Sequence, residues 1–290
     1  MIVSSPASCQ GLTVFRPVSA RFDHAIKEWY RLGMFGFLVK KAFFDMWDNM
    51  FRIILMNLGY IAVLAVFFLI APMFVSVPVL FFLTIGIGIA ILTVYTGGVS
   101  KMCAEIADYR QPGFAEFWSF VKETYGASLL LALAVTAYVL VISVAFQFYG
   151  GMKSLVGPLA VALLFWVTLA WVFSSQYFFP IQARLDRKFR KIFRKTFLLF
   201  FDNPGFSIGM LLTVILVMIM SVFTALLLPG VSTIILVWNI AFKLRMYKYD
   251  YLEQNPGVNR RRIPWDALLV EDRERVGKRT LKGMVFPWRE

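Results

Sequence analysis

Arg184 to Phe201 reads RLDRKFRKIFRKTFLLFF, and seven of its first twelve residues are Lys or Arg. A nearly charge-free segment long enough to cross a bilayer lies on each side. Wound as a helix, the stretch places Leu185, Phe189, Ile192 and Phe193 on one stripe. Arg187, Lys188, Arg190, Lys191, Arg194 and Lys195 fill the rest of the circumference. With Arg184 they form the candidate contact for anionic lipid headgroups, held on the cytoplasmic side of a membrane. A nucleic-acid-binding stripe would look similar, but the flanking segments tether this one to the bilayer, so no nucleic-acid partner is expected.

Composition agrees with that assignment. The chain is 59% hydrophobic and 16% charged, against about 25% charged for soluble domains. Its net charge of +13 is concentrated between apolar runs. Reading outward, Ile53 to Ser100 holds no charged residue and is long enough for two helices of about 20 residues each. Pro72 and Pro78 bracket the turn between them. Thr124 to Met152 and Ser154 to Ala183 give a third and fourth span, turning at Gly150-Gly151 and Lys153. Asn203 to Phe242, broken at Pro229-Gly230, gives a fifth and a sixth. The sixth is the shortest apolar run, Val231 to Phe242, and crosses only by continuing past Lys243 and Arg245.

The resulting expectation is an all-α polytopic membrane protein of six transmembrane helices, arranged as three hairpins with cytoplasmic interfacial helices. The spans fall at about 53–75, 78–99, 128–149, 155–179, 206–228 and 231–252. Residues 1–33 form an N-terminal cytoplasmic extension, 34–252 the membrane domain, and 253–290 a cytoplasmic tail that is solvated or rests on headgroups. Cations number 7 before the first span, 3 in the loop after the second, 7 after the fourth and 12 in the tail, which leaves Lys153 outside. The positive-inside rule then puts both termini in the cytoplasm. Each odd-numbered span follows an aromatic-rich amphipathic segment: FFDMWDN from Phe43, FAEFWSFVKETYG from Phe114 and FLLFFDNPG from Phe197. This suggests a unit of interfacial helix, span, turn and span, used three times.

The layout, with the passages TVYTGGVSKMCAEIADYRQPGFAEFWSFVKETYGASLLLAL (Thr93 to Leu133) and YFFPIQARLDRKFRKIFRKTFLLF (Tyr177 to Phe200), resembles the YesL-like family of bacterial membrane proteins. The resemblance covers roughly residues 34–252. It implies a six-span membrane domain, sometimes set beside carbohydrate-uptake systems, and carries over no catalytic residue.

Little in the sequence points to chemistry. Cys9 and Cys103 make no disulfide framework or thiolate cluster, and the lone His24 cannot build a triad. No cofactor and no metal is expected. Asp, Glu, Lys, Arg and His are absent from the interiors of the spans, Lys243 and Arg245 being read as snorkelling, which argues against a proton- or ion-coupled pump. Asn57, Gln176 and Asn239 are the span residues hardest to hide in lipid, hence the candidate polar cavity. Asp45, Asp48, Glu105, Asp108 and Glu116 sit near the inner surface, where salt bridges to nearby cations are the plain reading and a headgroup-cleaving site the sharp one. Gly86, Gly88 and Ala90, with Gly97-Gly98, form a close-packing face. Phe286, Pro287 and Trp288 in the tail are a candidate docking peptide for a membrane-protein partner. The leading functional expectation is a non-enzymatic accessory or scaffold of the cytoplasmic membrane. A transporter for a neutral solute or lipid is the alternative, and a lipid-headgroup enzyme the third.

Overall fold

The computed structural model describes residues 33–259, 263–277 and 279, and all regular structure among them is helical. The candidate docking residues Phe286, Pro287 and Trp288, and the extension before Gly33, lie outside the described residues.

Helix α1 (Met34–Asp48) ends where Asn49 turns its side chain onto its own backbone. Asn49 Nδ2 donates to Asp45 O at 3.0 Å, and Arg52 Nη1 donates to Asn49 Oδ1 at 2.9 Å. Such local bonding competes with helix continuation, so the chain restarts in a new direction as α2 (Met50–Ile70). A short 3-10 turn at Ala71–Phe74 leads to α3 (Pro78–Ala107), whose first residue is a proline with no N–H to lose. Helix α3 runs about two turns past the expected end of the second span, and Met102, Cys103, Ile106 and Ala107 of that extension are buried.

The sequence suggested a short interfacial helix from Phe114 followed by a separate span. The two are one helix, α4 (Phe114–Gly150), of 37 residues. At 1.5 Å per residue it is about 55 Å long, well over the roughly 30 Å of hydrocarbon. Gly126 is the weak point between the two parts, and a lone glycine costs a helix only about 1 kcal/mol. Helices α3 and α4 share the most extensive packing in the fold. Gly97 and Gly98 explain it: a Cβ on Gly97 would stand 2.5 Å from Ser128 Oγ, and one on Gly98 would meet Val121 and Phe117. The close-packing role expected for this face is what the structure contains.

Helix α5 (Val156–Ser175) is followed by α6 (Phe178–Arg184) and α7 (Phe189–Asp202). The basic stretch is therefore not one helix. Residues 185–188 break it, with Lys188 in extended backbone at the start of α7. Leu185 is exposed in that break and leaves the apolar stripe, while Ile192 is fully buried. Asp186, held in the break, accepts from Lys195 at 2.5 Å.

Helix α8 (Pro204–Phe223) and helix α9 (Val231–Gln254) complete the bundle. Five stretches are long and apolar enough to cross a membrane: Met50–Phe74, Pro78–Ala107, Phe114–Gly150, Val156–Arg184 and Pro204–Phe223. Only 6 to 22% of each apolar window is buried inside the protein. Phe68 is 70% and Phe223 86% exposed, surfaces suited to lipid and not to water.

The expected sixth span is not among them. Helix α9 carries Lys243, Arg245, Lys248, Asp250 and Glu253 in its second half, which no lipid-facing helix of that length tolerates. Its first half is instead the most protein-buried segment of the fold: Ser232 to Val237 and Asn239 to Phe242 are all buried, against α1, α3, α8 and neighbours. Cys103 Sγ bonds Ser232 O at 3.6 Å and Asn239 Nδ2 bonds Ser100 Oγ at 3.0 Å, so seven residues of α9 meet three of α3. The turn from α8 to α9 lies beside Asn57, five residues from Arg52, and not level with the Pro72–Val77 turn. Ala225 and Leu226 shape it with left-handed φ values of 51° and 64°.

The chain then folds back. Helices α10 (Trp265–Leu268) and α11 (Val270–Val276) pack on the charged end, burying Leu269, Asp272 and Val276. Among the described residues of the expected tail, Leu269, Asp272 and Val276 are packed into the fold, while 256–259 are exposed.

Candidate functional site at the charged face

The ionisable groups meet at one end of the bundle, where α1, the α3–α4 loop, α6, α7, the second half of α9 and α11 come together. Tyr109 is the centre. It ends α3 in a left-handed backbone conformation, φ 61°, with Arg110 N donating to Glu105 O at 2.9 Å and its own N–H bonding Ile106 O. Glycine ordinarily fills that position, and a side chain there costs about 1 kcal/mol or more. The tyrosine is compensated by its surroundings. Lys41 Nζ stands 3.6 Å from the ring centroid, and Lys243 Nζ and Arg275 Cζ 5.0 Å each. Its hydroxyl donates to Asp272 Oδ1 at 2.8 Å.

The charges around this ring are paired. Lys41, fully buried, bonds Asp45 at 2.8 Å. Lys243 bridges Asp272 at 3.1 Å and Asp108 at 3.3 Å, and Arg184 bonds Asp108 at 2.6 Å and Ala104 O at 2.9 Å. Burial, outweighing Lys41, pushes the Asp45 carboxyl up to about 6, and the same burial lowers the pKa of Lys41. Burial alone would raise Asp272, but Lys243, Tyr109 and Lys41 together hold it below the usual carboxylate value. Beside the ring a cleft of about 360 Å³ is walled by Asp108, Arg184, Lys243, Asp250, Glu271 and Arg275.

A second cluster anchors the base of α8. Asn203 Oδ1 accepts from Arg245 at 3.1 Å and from Lys248 at 2.8 Å, while Asp202 accepts from Tyr249 at 2.5 Å. The Arg245 guanidinium lies 3.5 Å from the Phe206 ring centroid. Sequence reasoning passed over Tyr109, Asn203 and Asp272, and read Lys243 and Arg245 only as cations at the end of a sixth span. Tyrosine at a helix end, where Gly belongs, was the one available signal.

The seven candidate lipid-contacting cations divide. Arg184 belongs to the Tyr109 cluster, Arg187 pairs with Glu123 at 2.9 Å, and Lys195 pairs with Asp186. Lys188, Arg190, Lys191 and Arg194 are exposed, and none has an ion-pair partner among the described residues.

Asn57, Gln176 and Asn239 are buried, but each is bonded at a different helix junction. Asn57 Nδ2 donates to Leu227 O and its Oδ1 accepts from Ser232 N, both at 2.8 Å, tying α2 to the start of α9. Gln176 Nε2 reaches Ser207 O at 3.4 Å, and Asn239 joins Ser100. None of the three borders any of the cavities described here.

The five acidic candidates are also dispersed. Asp45 pairs with Lys41, Asp48 with Arg279 at 2.8 Å, Glu105 with Arg110 at 2.9 Å and Asp108 with Arg184, while Glu116 reaches Gly113 N. No group of three or more His, Cys, Asp or Glu suited to a metal ion occurs among the described residues. No protein-family description, curated protein or solved structure matches the chain.

Proposed function

We propose that this membrane protein is a non-enzymatic scaffold or accessory component of the cytoplasmic membrane, with its charged face in the cytoplasm and Lys153 outside. The exposed cations of α7 rest on anionic headgroups, and the platform beside them receives a membrane-protein partner. The helices pair as α2 with α3, α4 with α5 and α8 with α9, the last pair returning from a shallower depth. Membership of the YesL-like family, with its uptake-system setting, forms part of this proposal.

The observation that carries the reading is the division of charge. Cations of α1, α6, α9 and α11 are consumed in holding the face together, whereas Lys188 just before α7 and Arg190, Lys191 and Arg194 on it are left outward, on a helix whose other side is apolar. The use of Asn57, Gln176 and Asn239 as separate helix ties counts against a path for a neutral solute. Purification from native membranes in gentle detergent, with mass spectrometry of what accompanies the protein, tests the proposal. A stoichiometric membrane-protein partner supports it. Protein alone, with a retained small solute, refutes it in favour of transport. Cysteine placed at Lys153 should react with an impermeant reagent on intact cells, and cysteine at Arg190 only after permeabilisation.

A further inference from the structure

Above the apolar side of α7 lies a cavity of about 230 Å³, walled by Leu131, Trp171, Phe178, Phe193, Phe197 and Trp238. An apolar cavity of roughly 150 Å³ already accepts a benzene ring. Thr93, Ser175 and Thr196 also line the cavity above α7, with hydroxyls bonded back to their own helices, and two polar atoms of the lining residues are left without a partner. Ser174, 1% exposed, lines the cavity with its Oγ unpartnered, and the Trp238 Nε1 is buried without an acceptor. Each unmet donor costs on the order of 1 to 3 kcal/mol in such a setting. Both can donate, and neither is charged, so the complementary group is a neutral acceptor such as an ester carbonyl. At about 100° per residue, Arg190 and Arg194 lie about 60° and 100° around α7 from Phe193, and Phe197 lies at about 40°. The two free arginines therefore lie side by side along one edge of the stripe that lines the cavity.

We propose that this cavity is a lipid site, holding one acyl chain of an anionic glycerophospholipid whose phosphate rests on Arg190 and Arg194. Its ester carbonyl accepts from Ser174 and Trp238. The site rests on the reading of α7 as a helix on anionic headgroups, and adds to it one bound molecule with a defined chain pocket. Acyl chains alone would not select for charge, and surface cations alone would not select for a chain. The combination selects for both.

Native mass spectrometry of the full chain after exchange into phosphatidylglycerol and phosphatidylcholine of the same chains is the test. The wild type should retain one phosphatidylglycerol in preference. Arg190→Gln/Arg194→Gln should weaken retention about thirtyfold, from about 1 kcal/mol per cation near the surface. Val135→Trp, which fills the cavity and keeps both arginines, should abolish it in protein that keeps its helical circular dichroism. Retention by folded Val135→Trp, or displacement of the lipid by glycerol phosphate alone, overturns the cavity site and leaves the basic-surface reading standing. Equal retention of both lipids, with the arginine variant silent, overturns both. Should Val135→Trp fail to fold, dilute phosphatidylglycerol with brominated chains in phosphatidylcholine nanodiscs decides. Saturable quenching of wild-type fluorescence should be mostly lost in Trp171→Phe/Trp238→Phe, and equal quenching by brominated phosphatidylcholine refutes the site.

Discussion

Lys41 has no exposure to solvent and bonds Asp45 one helical turn on, at 2.8 Å, while its ammonium also sits 3.6 Å from the Tyr109 ring centroid. Removing one partner strands the other. Lys41→Met leaves a carboxylate in a site that burial already disfavours, and breaking such a pair costs about 3 to 5 kcal/mol, within which the lost cation–π contact accounts for about 2. Lys41→Met/Asp45→Leu strands nothing and should cost less than Lys41→Met alone, giving a coupling of about 3 kcal/mol. The pH dependence adds an independent check. Asp45 is raised from 3.8 to about 6, so the folded state holds its proton more tightly than the unfolded chain does. Its contribution to stability is therefore present in full below about pH 4 and lost as pH rises through about 6, by up to about 3 kcal/mol at 1.36 kcal/mol per unit. Asp45→Asn should flatten that slope. The assay is SDS titration of the full chain in mixed micelles between pH 4 and 7, read by tryptophan fluorescence. Single and double variants that add within about 0.5 kcal/mol would refute the buried pair.

Three further perturbations separate ties from bystanders. Asn57→Ala leaves Ser232 N and Leu227 O unpaired and should cost about 2 to 4 kcal/mol, whereas Thr84→Ala, half-buried and bonded only to its own helix, should stay within about 0.5 kcal/mol in the same titration. Gly97→Leu drives side-chain atoms into Ser128 and Thr124 and should cost about 3 kcal/mol, while Gly126→Ala, with nothing within 4 Å of its new Cβ, should be neutral or stabilising by up to about 1 kcal/mol. Tyr109→Phe should lose about 1 kcal/mol through the Asp272 bond, and Tyr109→Gly should lose more despite relieving its backbone, because the ring facing three cations goes too. Limited proteolysis between residues 263 and 279 should speed up in that order, and a more stable Tyr109→Gly would remove the ring from its anchoring role.

The sequence was legible where one force dominates. Long uncharged runs have no soluble alternative, so the apolar helices and the glycine face stood out from pattern alone. It was less legible where forces compete. Gly126 looked like a boundary, but α4 continues through it because tertiary packing outweighs a propensity loss of about 1 kcal/mol. The stretch from Arg184 has helical periodicity throughout, but Asp186 and Lys188 break it because the break lets Asp186 pair with Lys195 and frees Arg184 to reach Asp108. Asn57, Gln176 and Asn239 were marked as a candidate polar cavity, and each is instead bonded at its own helix junction. Which partners they take depends on how the helices cross, and no local pattern records that. The role of Tyr109 rests on Lys41, Lys243 and Arg275, far apart in the chain.

Helix α9 shows how these pieces fit together. Its first half is too apolar for water, and its second half too charged for lipid. A helix with that composition is stable where protein surrounds it, and α9 is buried from Ser232 to Phe242 with few gaps. Its polar groups then need partners inside the fold: Asn57 for the first turn, Ser100 for Asn239, Asp108 and Asp272 for Lys243, Asn203 for Arg245 and Lys248. Those partners come from α2, α3, α8 and α11, so one helix ties the apolar bundle to the charged face. A face tied this way is a platform, not a set of loops. The cations it does not use, along α7, keep a fixed place relative to the cavity they border, as a site selecting one lipid by both charge and chain requires.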